Sequence, residues 1–315
     1  MKKYLLKRLM MSAITLLVLL MLLFAMLKLM PGSPFNDDKL TVQQIESMKE
    51  KYGLNDPVYV QYFRYVVNMC EGDFGVSYNI SKNVPITELL RTRLPTSLRI
   101  GFQSVMIGSV IGLFLGIAAA LRHNTVIDTA ATVLSVLGVS LPSYVFALGL
   151  AYFVGFRLGW LPLLYSVDNP FDSSIMPTIS LAMFSLANIA RFTRTEILEV
   201  MRSDYILLAR SKGVSGVQLI VKHILRNALI PIITVLGPLF VNQMTGSLVV
   251  EKIFSIPGIG ELMVRSIQSN DYNVTIVLSF VYSVMYIGIM LVIDLLYGVI
   301  DPRIRLSKED NHEQS

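Results

Sequence analysis

The sequence holds few side chains whose types and spacing could carry out chemistry. It has one cysteine, Cys70, and three scattered histidines, so neither a disulfide framework nor a zinc site of the usual spacing is indicated. It has no Gly-x-x-x-x-Gly-Lys-Ser/Thr motif, which excludes nucleotide binding by a phosphate loop. Asp294 is the one acid within the last long apolar segment, where it could relay protons or pair with Arg303 or Arg305. With no nucleophile pair or His/Cys/Asp cluster, the sequence argues against an enzyme.

The composition is that of a membrane protein. Apolar residues make up 53% of the 315 residues and charged residues only 16%, whereas about a quarter of a soluble domain is charged. Helices of about 20 residues cross a hydrocarbon core of roughly 30 Å. Six charge-free stretches are candidates for such helices, of which the fourth is the shortest: residues 9–27, 100–121, 129–156, 173–190, 228–250 and 274–293. We therefore predict an all-α polytopic membrane protein with six transmembrane helices, the first too long for a cleaved signal.

The distribution of lysine and arginine predicts the orientation. With the N-terminus inside, fifteen of these residues fall in cytoplasmic segments and three in the two short outside loops. The long loop over residues 31–98 carries seven more, but long loops translocate largely regardless of charge. We predict that both termini are cytoplasmic (N-in/C-in).

The predicted organisation has four parts. Residues 1–30 form a cytoplasmic N-terminus and the first transmembrane helix, and residues 31–98 form an extracellular cap. Residues 99–300 form a five-helix core that includes a cytoplasmic loop over 191–230, and residues 301–315 form a cytoplasmic tail. The cap contains two stretches of helical spacing, residues 41–52 and 58–70, and is too small for an enzyme core. We expect it to lie on the outer membrane face.

Small residues and prolines predict how the core helices pack. The second predicted helix carries a small residue at every fourth position, a pattern that lets helix backbones approach closely in membranes: Gly108, Gly112, Gly116 and Ala120. This ladder favours tight helix packing over a role in lining a pore. Pro142 and Pro238 lie within the third and fifth apolar stretches, where each is expected to kink its helix.

The charged loop between the fourth and fifth stretches is the most informative segment. Residues 191–208 contain good helix formers without glycine or proline, and Gly213 permits a sharp turn before a second helix over 216–224. A short helix that projects from the membrane on a glycine hinge can act as a lever on the helices at its ends. The alternative is a solvated basic loop that only fixes the topology.

Several stretches in order along the chain form a recognisable set of motifs. The charged loop holds two of them, Ser203-Asp-Tyr-Ile-Leu-Leu-Ala-Arg-Ser-Lys-Gly213 and Lys222-His-Ile-Leu-Arg-Asn-Ala-Leu-Ile-Pro231. The others lie at residues 30–34, 71–77, 85–98, 251–260 and 297–303. Together they resemble ABC-importer permeases of the dipeptide, oligopeptide and nickel branch, in particular the B-type subunit of oligopeptide importers, and the two loop stretches are similar to the EAA loop of that family. The Glu-Ala-Ala of the family falls on Leu207, Leu208 and Ala209, so two of these three positions differ.

The resemblance implies an ABC importer type I permease fold and a non-enzymatic pore subunit in a bacterial plasma membrane. It implies four kinds of partner for the import of oligopeptides: a second homologous permease, two ATPase subunits, an extracellular solute-binding protein and the peptide. The chain itself would bind no cofactor, because ATP and Mg would be used by the ATPase subunits. The residues expected to couple to the ATPase lie in the charged loop: Glu199, Asp204, Tyr205, Ala209, Gly213 and Gly216.

Polar residues within the core helices are candidates to line the pore, since polar groups that face lipid are costly. These candidates are Gln103, Ser104, Ser140, Ser185, Asn188, Asn242, Gln243 and Thr245. For each of them, a hydrogen bond between helices is an equally good explanation. A dipeptide, nickel or haem cargo is an alternative to oligopeptides. An ion-coupled secondary transporter is a more distant one, because inverted repeats and several mid-membrane charges are not found.

Overall fold

The structure is a computed structural model that describes residues 2–29, 43, 46, 47, 50 and 55–300. Over these residues it is helical, with no strand and one isolated bridge between Val76 and Pro85. The all-α prediction is therefore confirmed. Most of the predicted helix over residues 41–52 lies outside the described residues, and the tail over 301–315 lies wholly outside them.

The helices are numbered here along the described chain. Helix α1 is Lys2–Leu29, α2 is Val58–Glu71, α3 is Ile86–Leu121 and α4 is Val126–Ser140. Helix α5 is Ser143–Leu150 and continues as a π-helical stretch, Ala151–Arg157, and α6 is Asp172–Met201. Helix α7 is Asp204–Ser211, and α8 is Gly216–Gln218 followed by a π-helical stretch, Leu219–Leu225. The last four are α9 (Arg226–Met244), α10 (Leu248–Ile253), α11 (Ile259–Gln268) and α12 (Tyr272–Ile300).

Four of the described helices are long and apolar enough to cross a membrane, and two bent helix pairs raise the number to as many as six. The four are α1, α3, α6 and α12. Helix α6 contains residues 173–190, the fourth and shortest of the apolar stretches in the sequence. The pairs are α4 with α5, and residues 216–229 with 231–244. The predicted polytopic fold is thus confirmed, while the side of the membrane on which each terminus lies stays a prediction.

Prolines separate the two halves of the bent pairs. Pro142 precedes α5 in an extended conformation (φ −60°, ψ 145°), and the chain turns by 100° between α4 and α5. The kink predicted at Pro142 is confirmed, although it ends the helix instead of bending it. The second bend, of 46°, falls before Pro231. The second predicted kink was at Pro238. Helix α9 continues through this residue without a break.

The chain divides into two compact units: residues up to Pro95 together with Pro257–Ile287, and Thr96–Ile256 together with the residues from Gly288 onward. In the first unit, apolar side chains of α2, α3, α11 and α12 form one core. The segment after α2 is fixed by Asp271, which is buried directly before α12. Its Oδ2 atom accepts hydrogen bonds from the Ser77 hydroxyl (2.6 Å) and from the backbone N–H of Asn79 (2.9 Å) and Ile80 (3.1 Å).

In the second unit, α6 is the central helix, and α4, α5 and α9 pack against it. Helix α3 also lies directly on α6, through its glycine ladder. A Cβ atom added at Gly108, Gly112 or Gly116 would lie 2.5–2.6 Å from a backbone oxygen of α6, on Ala182, Leu186 and Ala190 respectively. Such distances leave no room for a side chain, so the prediction of tight helix packing is confirmed.

Asp294 lies in α12 and is half-buried. Arg303 and Arg305 lie outside the described residues, so the pairing of Asp294 with them stays a prediction.

Candidate coupling surface and translocation path

A break at Ser203 separates α6 from the short helix α7. Ser203 is extended (φ −73°, ψ 148°), and its hydroxyl donates a hydrogen bond of 2.6 Å to the carbonyl of Val200. Asp204 follows in the first turn of α7, where a carboxylate is favoured by the positive end of the helix dipole. The single helix expected over residues 191–208 is therefore wrong, because the extended backbone at Ser203 ends α6 and a new helix starts at Asp204.

Gly213 ends α7, as predicted. Its φ of +78° lies in the left-handed region that favours glycine. The N–H groups of Gly213 and Val214 donate to the carbonyls of Arg210 (3.0 Å) and Ala209 (3.3 Å), the two hydrogen bonds of a Schellman cap. The chain then re-enters a helix at Gly216, so α7 is a rigid element with a defined turn at each end.

One face of α7 is anchored in the core of the second unit. Ile206 and Ala209 are buried in a cluster with Ala120 of α3, Ile197 of α6 and residues 219–228. Burying an isoleucine contributes about 1.5–3 kcal/mol, which favours the packing of α7 against this core. Ala209, which the sequence assigned to the coupling residues, is buried in the same cluster, and its part in coupling stays a prediction.

The opposite face of α7 is apolar and exposed. Leu207 is 65% exposed and Leu208 is 56% exposed, with Tyr205 beside them on the same helix and Val217 exposed on α8. We call these four side chains the coupling surface. The predicted residues Glu199, Asp204, Gly213 and Gly216 are also exposed. An apolar centre among charged residues is typical of a protein–protein interface.

The sequence did not single out Leu207 and Leu208 as contact residues. A signal was present, since residues 206 and 209 share one side of a helix and residues 207 and 208 must then point away from it.

A buried ion pair lies at the start of α4. The carboxylate of Asp128 is bonded by Arg194 of α6 through both oxygens, with Nη2 2.9 Å from Oδ2. The same Oδ2 accepts the backbone N–H of Asn124 (3.0 Å) and lies 2.9 Å from Nδ1 of His123. Asp128 thus ties the loop between α3 and α4 to α6. A single sequence gives no sign of this pairing, which joins residues 66 positions apart.

Replacing Asp128 by asparagine is expected to destabilise the chain by about 3 kcal/mol, the usual result of breaking a buried ion pair. The asparagine would keep one acceptor oxygen for three donors, and its amide would face the Arg194 guanidinium. Thermal unfolding of the purified, detergent-solubilised protein measures the effect. The control is Asp168→Asn, an exposed aspartate whose only described bond is through its backbone. Equal melting temperatures for the two variants would contradict the assigned role.

The structure divides the predicted pore-lining residues into two groups. Ser104, Ser185 and Gln243 are buried within the second unit, and Gln243 donates a hydrogen bond of 3.1 Å to the Leu181 carbonyl of α6. These three side chains are buried among the helices of the unit, and a role in lining the pore stays a prediction for them. The remaining candidates keep accessible surface and stay predictions: Gln103, Ser140, Asn188, Asn242 and Thr245.

The chain matches two models of one transport family. The model described as "Binding-protein-dependent transport system inner membrane component" matches residues 112–306, and the corresponding N-terminal model matches residues 1–101. Among curated relatives, the dipeptide transport system permease protein DppB of Lactococcus lactis is 44% identical over 97% of this chain and 100% of its own length. The oligopeptide transport system permease protein OppB of Haemophilus influenzae is 37% identical over the same shares.

Solved structures support the same fold. An amino acid ABC transporter aligns with a TM-score of 0.53 and 21% identity over 67% of this chain and 94% of its own. The methionine ABC transporter MetNI, in an inward-facing conformation, aligns with a TM-score of 0.54 and 18% identity over 68% of this chain and 96% of its own. These likenesses confirm the predicted ABC importer permease fold. Together with the family match, they establish that the chain belongs to the family of binding-protein-dependent transport system inner membrane components.

Proposed function

We propose that this chain is one of two homologous permease subunits that form the translocation pore of a peptide importer. Two ATPase subunits and an extracellular solute-binding protein complete the assembly, which lies in the bacterial plasma membrane with both permease termini in the cytoplasm. The observation that carries the proposal is the full-length similarity to peptide permeases, which range from 35% to 44% identity.

The coupling surface supports the assignment of the ATPase contact. Leu207 and Leu208 are exposed on a helix that is anchored from behind by Ile206, so a force on the leucines is passed to the core instead of bending a loop. In this proposal, ATP binding closes the ATPase pair, and the pair pushes on α7. The permeases then open toward the binding protein. ATP and Mg²⁺ are bound by the ATPase subunits, since this chain has no phosphate loop.

The names of the relatives support peptides, rather than nickel or haem, as the cargo. The relatives at 44% and 40% identity are named as dipeptide permeases, and those at 35–38% are named as oligopeptide permeases. A peptide presents a constant backbone and variable side chains, which suits a pore that binds weakly through scattered polar groups. We propose short peptides as the cargo and leave the choice of length to the binding protein.

Uptake of labelled peptides by cells that lack this chain tests the proposal. Cells in which the full-length chain is restored should take up a dipeptide or a longer peptide, and the uptake should cease when ATP is depleted. Restored uptake that is insensitive to ATP depletion but is abolished by an ionophore would contradict the proposal and support a secondary transporter. No gain in peptide uptake, with nickel or haem uptake restored instead, would contradict the cargo assignment alone.

A further inference from the structure

Helix α2 has two apolar faces, and only one of them has a partner among the described residues of its compact unit. Tyr62, Tyr65 and Met69 point toward α1 and the core of the first unit. On another face, Tyr59 is 74% exposed and Phe63 is 71% exposed. Cys70 is exposed as well, and the spacing of 59, 63 and 70 places all three on one side of a helix. Water-soluble caps rarely expose a row of aromatic side chains in this way.

Contacts with α1 fix the depth of this helix. The apolar part of α1 that can cross a membrane is Lys7–Met26, so Lys28 lies just beyond the end of the hydrocarbon layer. The Lys28 ammonium donates a hydrogen bond of 2.6 Å to the side-chain oxygen of Gln61, which places the start of α2 at the level of the headgroups. A lysine at this position can extend its ammonium toward the headgroups.

The aromatic residues of α2 reach further into the membrane. The ring of Tyr62 lies 5.6 Å from that of Phe24, and its hydroxyl donates a hydrogen bond of 3.2 Å to the carbonyl of Leu17. Leu17 precedes Lys28 by eleven residues, which is about 16 Å along a helix axis. Since Leu17 and Phe24 both belong to the membrane-crossing part of α1, the side of α2 that contacts them lies below the membrane surface.

The polar groups of α2 are arranged as this depth requires. Arg64 forms an ion pair of 2.8 Å with Asp56, which precedes the helix. Gln61 is buried and donates to the Asp56 carbonyl, so neither its amide nor its oxygen is left in hydrocarbon without a partner. Both of these polar side chains, Gln61 and Arg64, therefore have partners among the described residues.

We propose that α2 is a membrane-inserted helix whose exposed face, Tyr59, Phe63 and Cys70, lies among the lipids of the leaflet at the C-terminal end of α1. The sequence predicted a cap resting on the membrane, whereas the contacts with Phe24 and Leu17 place α2 several ångströms deeper. Tyrosine and phenylalanine suit this depth, because amphipathic aromatic rings concentrate where the hydrocarbon meets the headgroups. The proposal needs only that α1 crosses the membrane, and it is independent of the cargo.

Spin labelling tests the depth directly, because Cys70 is the single cysteine of the chain. The importer is reconstituted in vesicles of phosphatidylethanolamine and phosphatidylglycerol. Labels are placed on native Cys70 and, in a Cys70→Ser background, on Phe63→Cys. Collisions with oxygen, which concentrates in lipid, are compared with collisions with a water-soluble nickel chelate. Oxygen collisions should exceed nickel collisions several-fold at both positions. A label on Arg64→Cys, in the Cys70→Ser background, is the control, and there nickel collisions should exceed oxygen collisions.

Two results would overturn the proposal. Nickel collisions equal to or above oxygen collisions at positions 63 and 70 would place this face in water. An immobilised label with little access to either reagent would mean that a protein partner covers it. The native Cys70 label requires no substitution, so a folding defect in the Phe63→Cys variant does not affect the outcome.

Discussion

Replacing Leu207 and Leu208 together by lysine should reduce ATP-dependent uptake at least ten-fold while the chain still folds and reaches the membrane. Both side chains are more than half exposed, so replacing them should change the free energy of unfolding little. At the centre of an interface, two ammonium groups without partners would oppose binding by several kcal/mol. Uptake and the amount of ATPase that co-purifies with the permease are the two measurements.

The matched control for the leucine pair is Arg210→Gln, which changes an exposed residue of the same helix at the rim of the coupling surface. Rim substitutions usually alter affinity little, so uptake in this variant should stay close to that of the unchanged chain. If the double lysine variant keeps normal uptake and normal ATPase binding, the coupling surface has been assigned to the wrong face of α7.

Replacing Gly112 by leucine should destabilise the chain and lower its melting temperature. A Cβ atom at this position would lie 2.6 Å from the Leu186 carbonyl oxygen and 3.1 Å from the Cβ of Ile189. The backbone of α6 cannot yield there without moving the central helix. We expect a loss of about 3 kcal/mol, at the upper end for overpacked sites. This corresponds to a melting temperature lower by about 5 °C in a chain of this size.

Gly149→Leu provides the matched control. Gly149 also lies within a helix, but a Cβ atom there has no other atom within 4 Å, and its φ is not in the left-handed region. Leucine has the higher helix propensity, so this variant should melt at or slightly above the temperature of the unchanged chain. A similar loss in both glycine variants would mean that the α3–α6 contact is not the cause.

Features that follow from local physics could be predicted from the sequence. The apolar stretches became α1, α3, α6, α12 and the bent pairs, because crossing hydrocarbon demands about 20 apolar residues whatever the neighbours are. The turn at Gly213 was predictable for a similar reason, since a positive φ favours glycine. The small-residue ladder of α3 predicted a close helix contact, though it could not name α6 as the partner.

Features that depend on which side chain faces which neighbour could not be predicted in the same way. Gln243 has the polar side chain expected of a pore residue, yet it is buried and donates a hydrogen bond to a backbone carbonyl of α6. The pairing of Asp128 could not be predicted because its partner Arg194 is distant in the chain. The break at Ser203 could not be predicted because good helix formers lie on both sides of it.

In the proposed importer, the coupling surface on α7 contacts an ATPase subunit on the cytoplasmic side. This contact is tested by labelling Leu208→Cys, in the Cys70→Ser background, with a membrane-impermeant maleimide. We expect no labelling from outside intact cells, strong labelling of inverted membrane vesicles stripped of ATPase, and protection when the ATPase subunits are added back. Labelling from outside the cell, or labelling of the vesicles that the ATPase subunits do not reduce, would contradict the claim.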